Sequence, residues 1–157
     1  MSWQVVRPQL VTFLQNMTIS DIDSTKLLQE VSPTPKIQFS GYPAAHVVPS
    51  ENSSDYETTS ENERQYAWAV RIFYETKSGG IENAFKALEQ AVDRIMDQLD
   101  LEDMRDSSQR TIAIGLPSRY TFLNIFAVPN RWTELPEEEL VFAEITVRIR
   151  MSVDVSV

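Results

Sequence analysis

Cysteine is absent, so neither a disulfide framework nor a thiolate zinc site can be built. Nothing in the composition then demands an oxidising compartment. Glycine is scarce: Gly41, Gly79, Gly80 and Gly115 are the whole supply. A phosphate-cradling loop needs glycines grouped ahead of a helix, and these do not make one. His46 is the single histidine. A general base needs an orienting partner. A lone histidine inside the apolar run 44–48 therefore reads first as a packing or hydrogen-bonding residue. A catalytic role would need Asp55 or Glu57 from the next segment to orient it. No long uninterrupted apolar run occurs, and the opening fifteen residues lack a basic stretch followed by an apolar block. Neither a membrane span nor a secretory signal is expected.

Bases are outnumbered, 14 to 23 acids, for a net charge of -9. Such a field repels phosphate backbones and disfavours a grip on nucleic acid. It keeps the chain soluble, suits a basic protein partner, and permits a surface past which DNA slides without sticking. Serines are many, yet no GxSxG elbow or SxxK pattern appears. The acid pair Asp93/Asp97 lies four apart on an expected helix and reads as its solvated face. No stretch has the alternating oxygen ligands and central glycine of a calcium loop. No catalytic residue, metal site or cofactor is assigned.

What is present suits one folded domain: 157 residues with an apolar share of 42% are enough for a real core. The spacing of Val6, Leu10, Phe13 and Leu14 predicts a helix over about 8–17, opening at Pro8 because proline is tolerated in a first turn. A second short helix is expected over 22–30, capped by Asp23 or Ser24, with Leu27, Leu28 and Val31 buried. Ser32-Pro33-Thr34-Pro35 would break it. Strand pieces follow at 36–39 and 44–48, parted by a turn at Gly41-Tyr42-Pro43. Residues 50–62 read as a polar excursion holding Glu51, Asp55, Glu57 and Glu61 and no base. A long strand spans 64–76, with Tyr66, Trp68, Val70, Ile72 and Tyr74 on one face and Ala67, Ala69, Arg71 and Phe73 on the other.

Residues 81–101 carry the clearest helix, with Ile81, Ala84, Phe85, Leu88, Ala91, Val92, Ile95, Met96 and Leu99 on one stripe. A polar loop over 103–109 leads to strands at 111–116 and 120–128. A second polar excursion covers 130–139, with Trp132 and Glu137-Glu138-Glu139. The last strand, 140–155, alternates: Val141, Ala143, Ile145, Val147, Ile149, Met151 and Val153 face one way, Glu144, Thr146, Arg148 and Arg150 the other. The order predicts a single α+β domain with an antiparallel or mixed sheet and helices on one face. Arg64, Arg71, Arg148 and Arg150 could read an acidic partner, or pair with Glu144 and similar neighbours across the sheet.

Tyr42-Pro43-Ala44-Ala45, then Pro49, Asp55, Thr58, Asn62, Arg64 and Tyr66, then Phe73-Tyr74-Glu75, form a pattern that resembles the tail-terminator proteins of long-tailed bacteriophages, also called tail-completion or minor tail proteins. Ile81-Glu82, Val92-Asp93, Ile95-Met96, Ala127-Val128-Pro129 and the strand 142–147 continue it, so the resemblance covers roughly residues 37–155. It implies a small α/β domain with helices against one sheet and no enzymatic activity. It implies a homo-oligomeric ring, a hexamer in the usual case, on the end of the tail tube in the virion. The ring would stop tube polymerisation and dock the neck or head-completion proteins, with DNA passing through its lumen and no membrane involved. A ring closes through heterologous contacts. The residues expected at them are Asp55, Tyr56, Thr58, Asn62, Arg64, Trp132, Glu144, Arg148 and Arg150. Three other roles stay open: a different ring protein of the head–tail connector, a small acidic adaptor, and a hydrolase built on His46.

Overall fold

The structure, a computed structural model, describes residues 2–50, 63–105, 116 and 118–154. Helix α1 spans Ser2–Asn16. It buries Val6, Leu10 and Leu14, which recur at steps of four. Pro8 lies inside this helix and not at its start. The expected start at Pro8 is corrected for a physical reason: Val6, two residues earlier, is a fully buried anchor one turn before Leu10. The Pro8 ring is exposed, so the missing N–H costs one helix bond without a clash in the core.

The second short helix does not form. Residues 17–29 make a loop pinned by a bridge between Thr18 and Lys26. Leu27 and Leu28 are buried as expected, but Ile22 is 99% exposed, so no apolar stripe exists to hold a helix there. Asp23 caps a turn instead, its Oδ1 accepting the Thr25 N–H at 2.9 Å. Strand β1, Glu30–Ser32, follows. The strand expected at 36–39 is also absent. The Lys36 backbone bonds the His46 ring and not a neighbouring strand. Phe39 turns onto the sheet, 5.5 Å from Phe73 between ring centroids.

Strand β2, Ala44–Pro49, follows the expected turn, in which the Tyr42–Pro43 bond is cis. The polar excursion at 51–62 lies outside the described residues. Strand β3, Glu63–Glu75, and helix α2, Gly80–Met104, match the predicted strand and helix, with α2 running three residues further. Gly80 opens α2 at φ 79°, where a side chain would be strained. The polar loop after the helix and the strand at 111–116 also fall largely outside the described residues.

Strand β4, Tyr120–Leu135, is longer than predicted and absorbs most of the supposed excursion at 130–139. Only the 3-10 turn Pro136–Glu138 and Glu139 stand between it and β5, Leu140–Val153. The reason is pairing length. Strand β5 alternates back to Leu140, and β4 follows it there, Leu135 opposite Leu140. Bulges between Phe122 and Asn124 and between Pro129 and Arg131 keep the two in step. Pro129 is accommodated because β4 is the outer strand and the bulge is beside it.

The five strands run in the order β1-β2-β3-β5-β4. β1 and β2 are parallel and every other pair is antiparallel, so the sheet is mixed. α1 lies by β1, and α2 lies across β3, β5 and β4. Both helices join the same core cluster as Ala45, Trp68, Ile72, Ile145 and Ile149, and so share one face of the sheet. The predicted α+β fold with helices on one face is the fold found. The other face mixes small aliphatic residues such as Ala44, Val48, Ala67 and Ala69 with polar and aromatic side chains, and Glu144, Arg148 and Arg150 lie on it.

Candidate functional site

Strand register builds a polar row across this outer face. Ser32 stands opposite His46, His46 opposite Arg71, Arg71 opposite Glu144, and Glu144 opposite Arg131. Partners in register point the same way, so these side chains lie side by side over all five strands. The centre of the row is tightly bonded. Arg71 Nε donates to Glu144 Oε1 at 2.8 Å. Asn130 Nδ2 donates to Glu144 Oε2 at 2.6 Å and reaches Thr146 Oγ1 at 3.3 Å. Both carboxylate oxygens are thus satisfied, which allows Glu144 to sit only 8% exposed. Asn130 is the bulged residue of β4, and the bulge is what aims it at Glu144.

His46 is 4% exposed. Its Nδ1 lies 3.0 Å from the Lys36 N–H and 2.8 Å from the Lys36 carbonyl oxygen, so one tautomer accepts from the first and the other donates to the second. Its ring meets the Phe73 ring edge-on at 5.0 Å. Phe73, Phe142 and Phe39 form a small aromatic cluster beside the row, and the Arg131 guanidinium sits 5.5 Å above Phe142. Near the row, the Glu30 carboxylate of β1 holds Lys36 in an ion pair and accepts hydrogen bonds from Ser40.

Burial pushes the His46 pKa below its ordinary 6.5, with Arg71 adding to the shift, against the bond to the Lys36 backbone and the charge of Glu144. The sign follows. Above 6.5 the imidazole is neutral in both folded and unfolded chains and pH has no effect through it. As pH falls through 6.5, the unfolded chain takes the proton first and stability is lost. Glu30 and Asp23, lowered from 4.5 and 3.8 by hydrogen bonds to their carboxylates, act in the same direction but only at lower pH. Urea midpoints measured between pH 7 and 5 are therefore expected to fall for the native chain and to fall less for His46→Gln. Parallel slopes would refute the assignment.

On the far side of the row, Arg148 and Arg150 continue along β5 on the outer face, opposite Ala67 and Gln65 on β3 and Phe126 and Asn124 on β4. Phe126 is 61% exposed and Val128 is 41% exposed there. A hollow of about 380 Å³ lies among Gln65, Asp103, Asn124, Phe126, Arg148 and Arg150, and Asp103 Oδ1 accepts the Ile125 N–H at 2.9 Å.

The structure brings only some of the expected assembly residues together. Glu144, Arg148 and Arg150 share the outer face. Arg64 does not: it stands opposite Met151 and on the same side of β3 as Tyr66 and Trp68, toward the helices. Trp132 pairs with Ala143, so it too belongs to the helix side, at 44% exposure. Asp55, Tyr56, Thr58 and Asn62 lie outside the described residues. The pairing of Arg71 with Glu144 decides between the two readings of that arginine in favour of the cross-strand partner. Asn130, Arg131 and Phe126 were not singled out from sequence. The one available signal was Pro129, which on a long strand points to a bulge. No group of three or more metal-ligating His, Cys, Asp or Glu side chains occurs among the described residues. No family model matches the chain, and no curated protein matches it.

Proposed function

We propose that this chain is a tail terminator of a long-tailed bacteriophage, a structural protein that closes into a ring on the end of the tail tube, stops its growth and joins it to the neck. The observation that carries the reading is the two-sided sheet. One face is covered by both helices, and on the other the β5–β4 side offers Arg131, Arg148 and Arg150 with the exposed Phe126 and Val128 beside them. Such a surface serves contact between proteins, where exposed apolar residues beside charges mark a docking area. The Tyr42–Glu75 sequence pattern supports the same reading, and the net charge of -9 suits a lumen that DNA crosses without sticking.

The hydrolase reading is weaker. It needs His46 to reach a substrate, and His46 is 4% exposed with Nδ1 held at the Lys36 backbone. We assign it to packing of the outer face. Light scattering over a concentration series, followed by electron microscopy with purified tube protein, tests the proposal. A closed oligomer near six copies that caps tube ends is the expected result. A chain that neither closes nor touches tube ends would overturn it, and open-ended polymers would mark a tube protein instead.

A further inference from the structure

The loop joining α1 to β1 presents an apolar plug. Ile22 is 99% exposed at its tip, between Asp21 and Asp23. An exposed isoleucine on a floppy loop would mean little. This loop is built. Ile19 N donates to Thr25 O and Leu27 N to Met17 O, each at 2.9 Å. Thr18 Oγ1 donates to Ser20 O at 2.9 Å, and Ser20 Oγ accepts the Asp23 N–H at 3.1 Å. Arg94 of α2 anchors the whole from below, Nε to Thr18 O at 2.9 Å and Nη2 to Asp21 Oδ1 at 3.1 Å. A tip so held loses little freedom when it docks.

A groove of about 570 Å³ lies beside the base of the same loop, with Ile19, Leu27, Tyr74, Ala87, Ala91 and Lys26 in its lining; Arg94 lines it too, but its charge is taken by Asp21 of the same chain. The chain's own Ile22 does not enter it, being almost wholly in solvent. Lys26 is exposed and makes no ion pair among the described residues. The match is of two kinds: an isoleucine for an apolar floor, and the Asp23 carboxylate for the Lys26 ammonium. Charge match matters here because copies carrying -9 each repel at long range.

We infer that the Ile22-Asp23 tip of one copy docks in the groove beside Lys26 of a second copy of this chain. This contact rests on the self-association in the function proposed above, and not on the tail tube. Reciprocal exchange of tips closes at two copies, and one-way docking leaves a tip and a groove free and continues to a ring.

Sedimentation of the full chain and its variants tests it. Ile22→Asp is expected to weaken self-association about tenfold or more, since it removes a buried aliphatic side chain and adds a charge. Ile22→Val should stay near the native value. Lys26→Glu should weaken association, and added salt should weaken the native contact as well. Circular dichroism checks that each variant keeps its fold, as an exposed tip allows. If the native chain associates and Ile22→Asp associates equally well, the docking is wrong and the ring stands on another surface. If the native chain stays monomeric throughout, the docking is also wrong, and binding to tube ends alone decides the function.

Discussion

Trp68→Ala is expected to cost about 3–5 kcal/mol, the usual range for emptying a large aromatic site in a core. Trp68 is 0% exposed and among the largest fully buried side chains of the domain. It faces the helices from β3, between Pro49 on β2 and Val147 on β5, with its ring 5.9 Å from that of Tyr66. Central β3 joins the β1–β2 side of the sheet to the β5–β4 side, so no neighbouring strand can move in without breaking register. A domain of this kind is stable by about 5–15 kcal/mol in total, and the variant would retain a fraction of that or none. Urea unfolding should show a lower midpoint at an unchanged slope. Trp132→Ala is the control: at 44% exposure its loss should stay within about 0.5 kcal/mol. A Trp68 cost below about 1 kcal/mol would mean that the site collapses freely and that the core description is wrong. The functional consequence is indirect but large. Every surface discussed above is held by this core, so association should fail with the fold and not by loss of a contact.

Periodicity exposed the long elements and the short β2, and misread the segments 22–30 and 36–39 for a physical reason. Strand β5 alternates so regularly because its even positions meet solvent-side neighbours and its odd positions meet α2. Helix α2 shows its stripe because Ala84, Leu88, Ala91, Val92, Ile95 and Leu99 all meet one sheet. The segment 22–30 has the residue types of a helix, but Ile22 finds no core and Asp23 bonds forward to Thr25. Local hydrogen bonding won over propensity there. Residues 36–39 have the residue types of a strand, yet the Lys36 backbone goes to His46. The polar row shows a different limit. His46, Arg71, Glu144 and Asn130 are far apart in sequence, and which of them meet depends on register across several strands and on one bulge. Alternation assigns each to a face and says nothing of its partner. Hence parity puts Glu144, Arg148 and Arg150 on one face, whereas Trp132 lies in an expected excursion that β4 absorbs, and Arg64 has the parity of Tyr66 and Trp68.

Arg71→Met should cost about 3–5 kcal/mol, because it leaves a buried carboxylate without its cation. The side chain of Glu144 is 10% exposed and that of Arg71 26%, so the carboxylate cannot simply rehydrate. Asn130 would remain as its one described donor. Glu144→Met should cost less, because Arg71 has a route to water. The double variant Arg71→Met/Glu144→Met should recover most of the loss, as buried pairs replaced by apolar groups of like volume often do. A double-mutant cycle in urea measures the coupling, and single costs that merely add would remove the claim that the pair acts as a unit. The same variants separate structure from assembly. A refolded double variant keeps the sheet but erases the charge pair at the centre of the outer face. If that face makes the ring, the stable double variant should still fail to close oligomers or cap tube ends. If it assembles normally, the row is an internal brace of the sheet, and the assembly surface lies with the helices and the Ile22 tip.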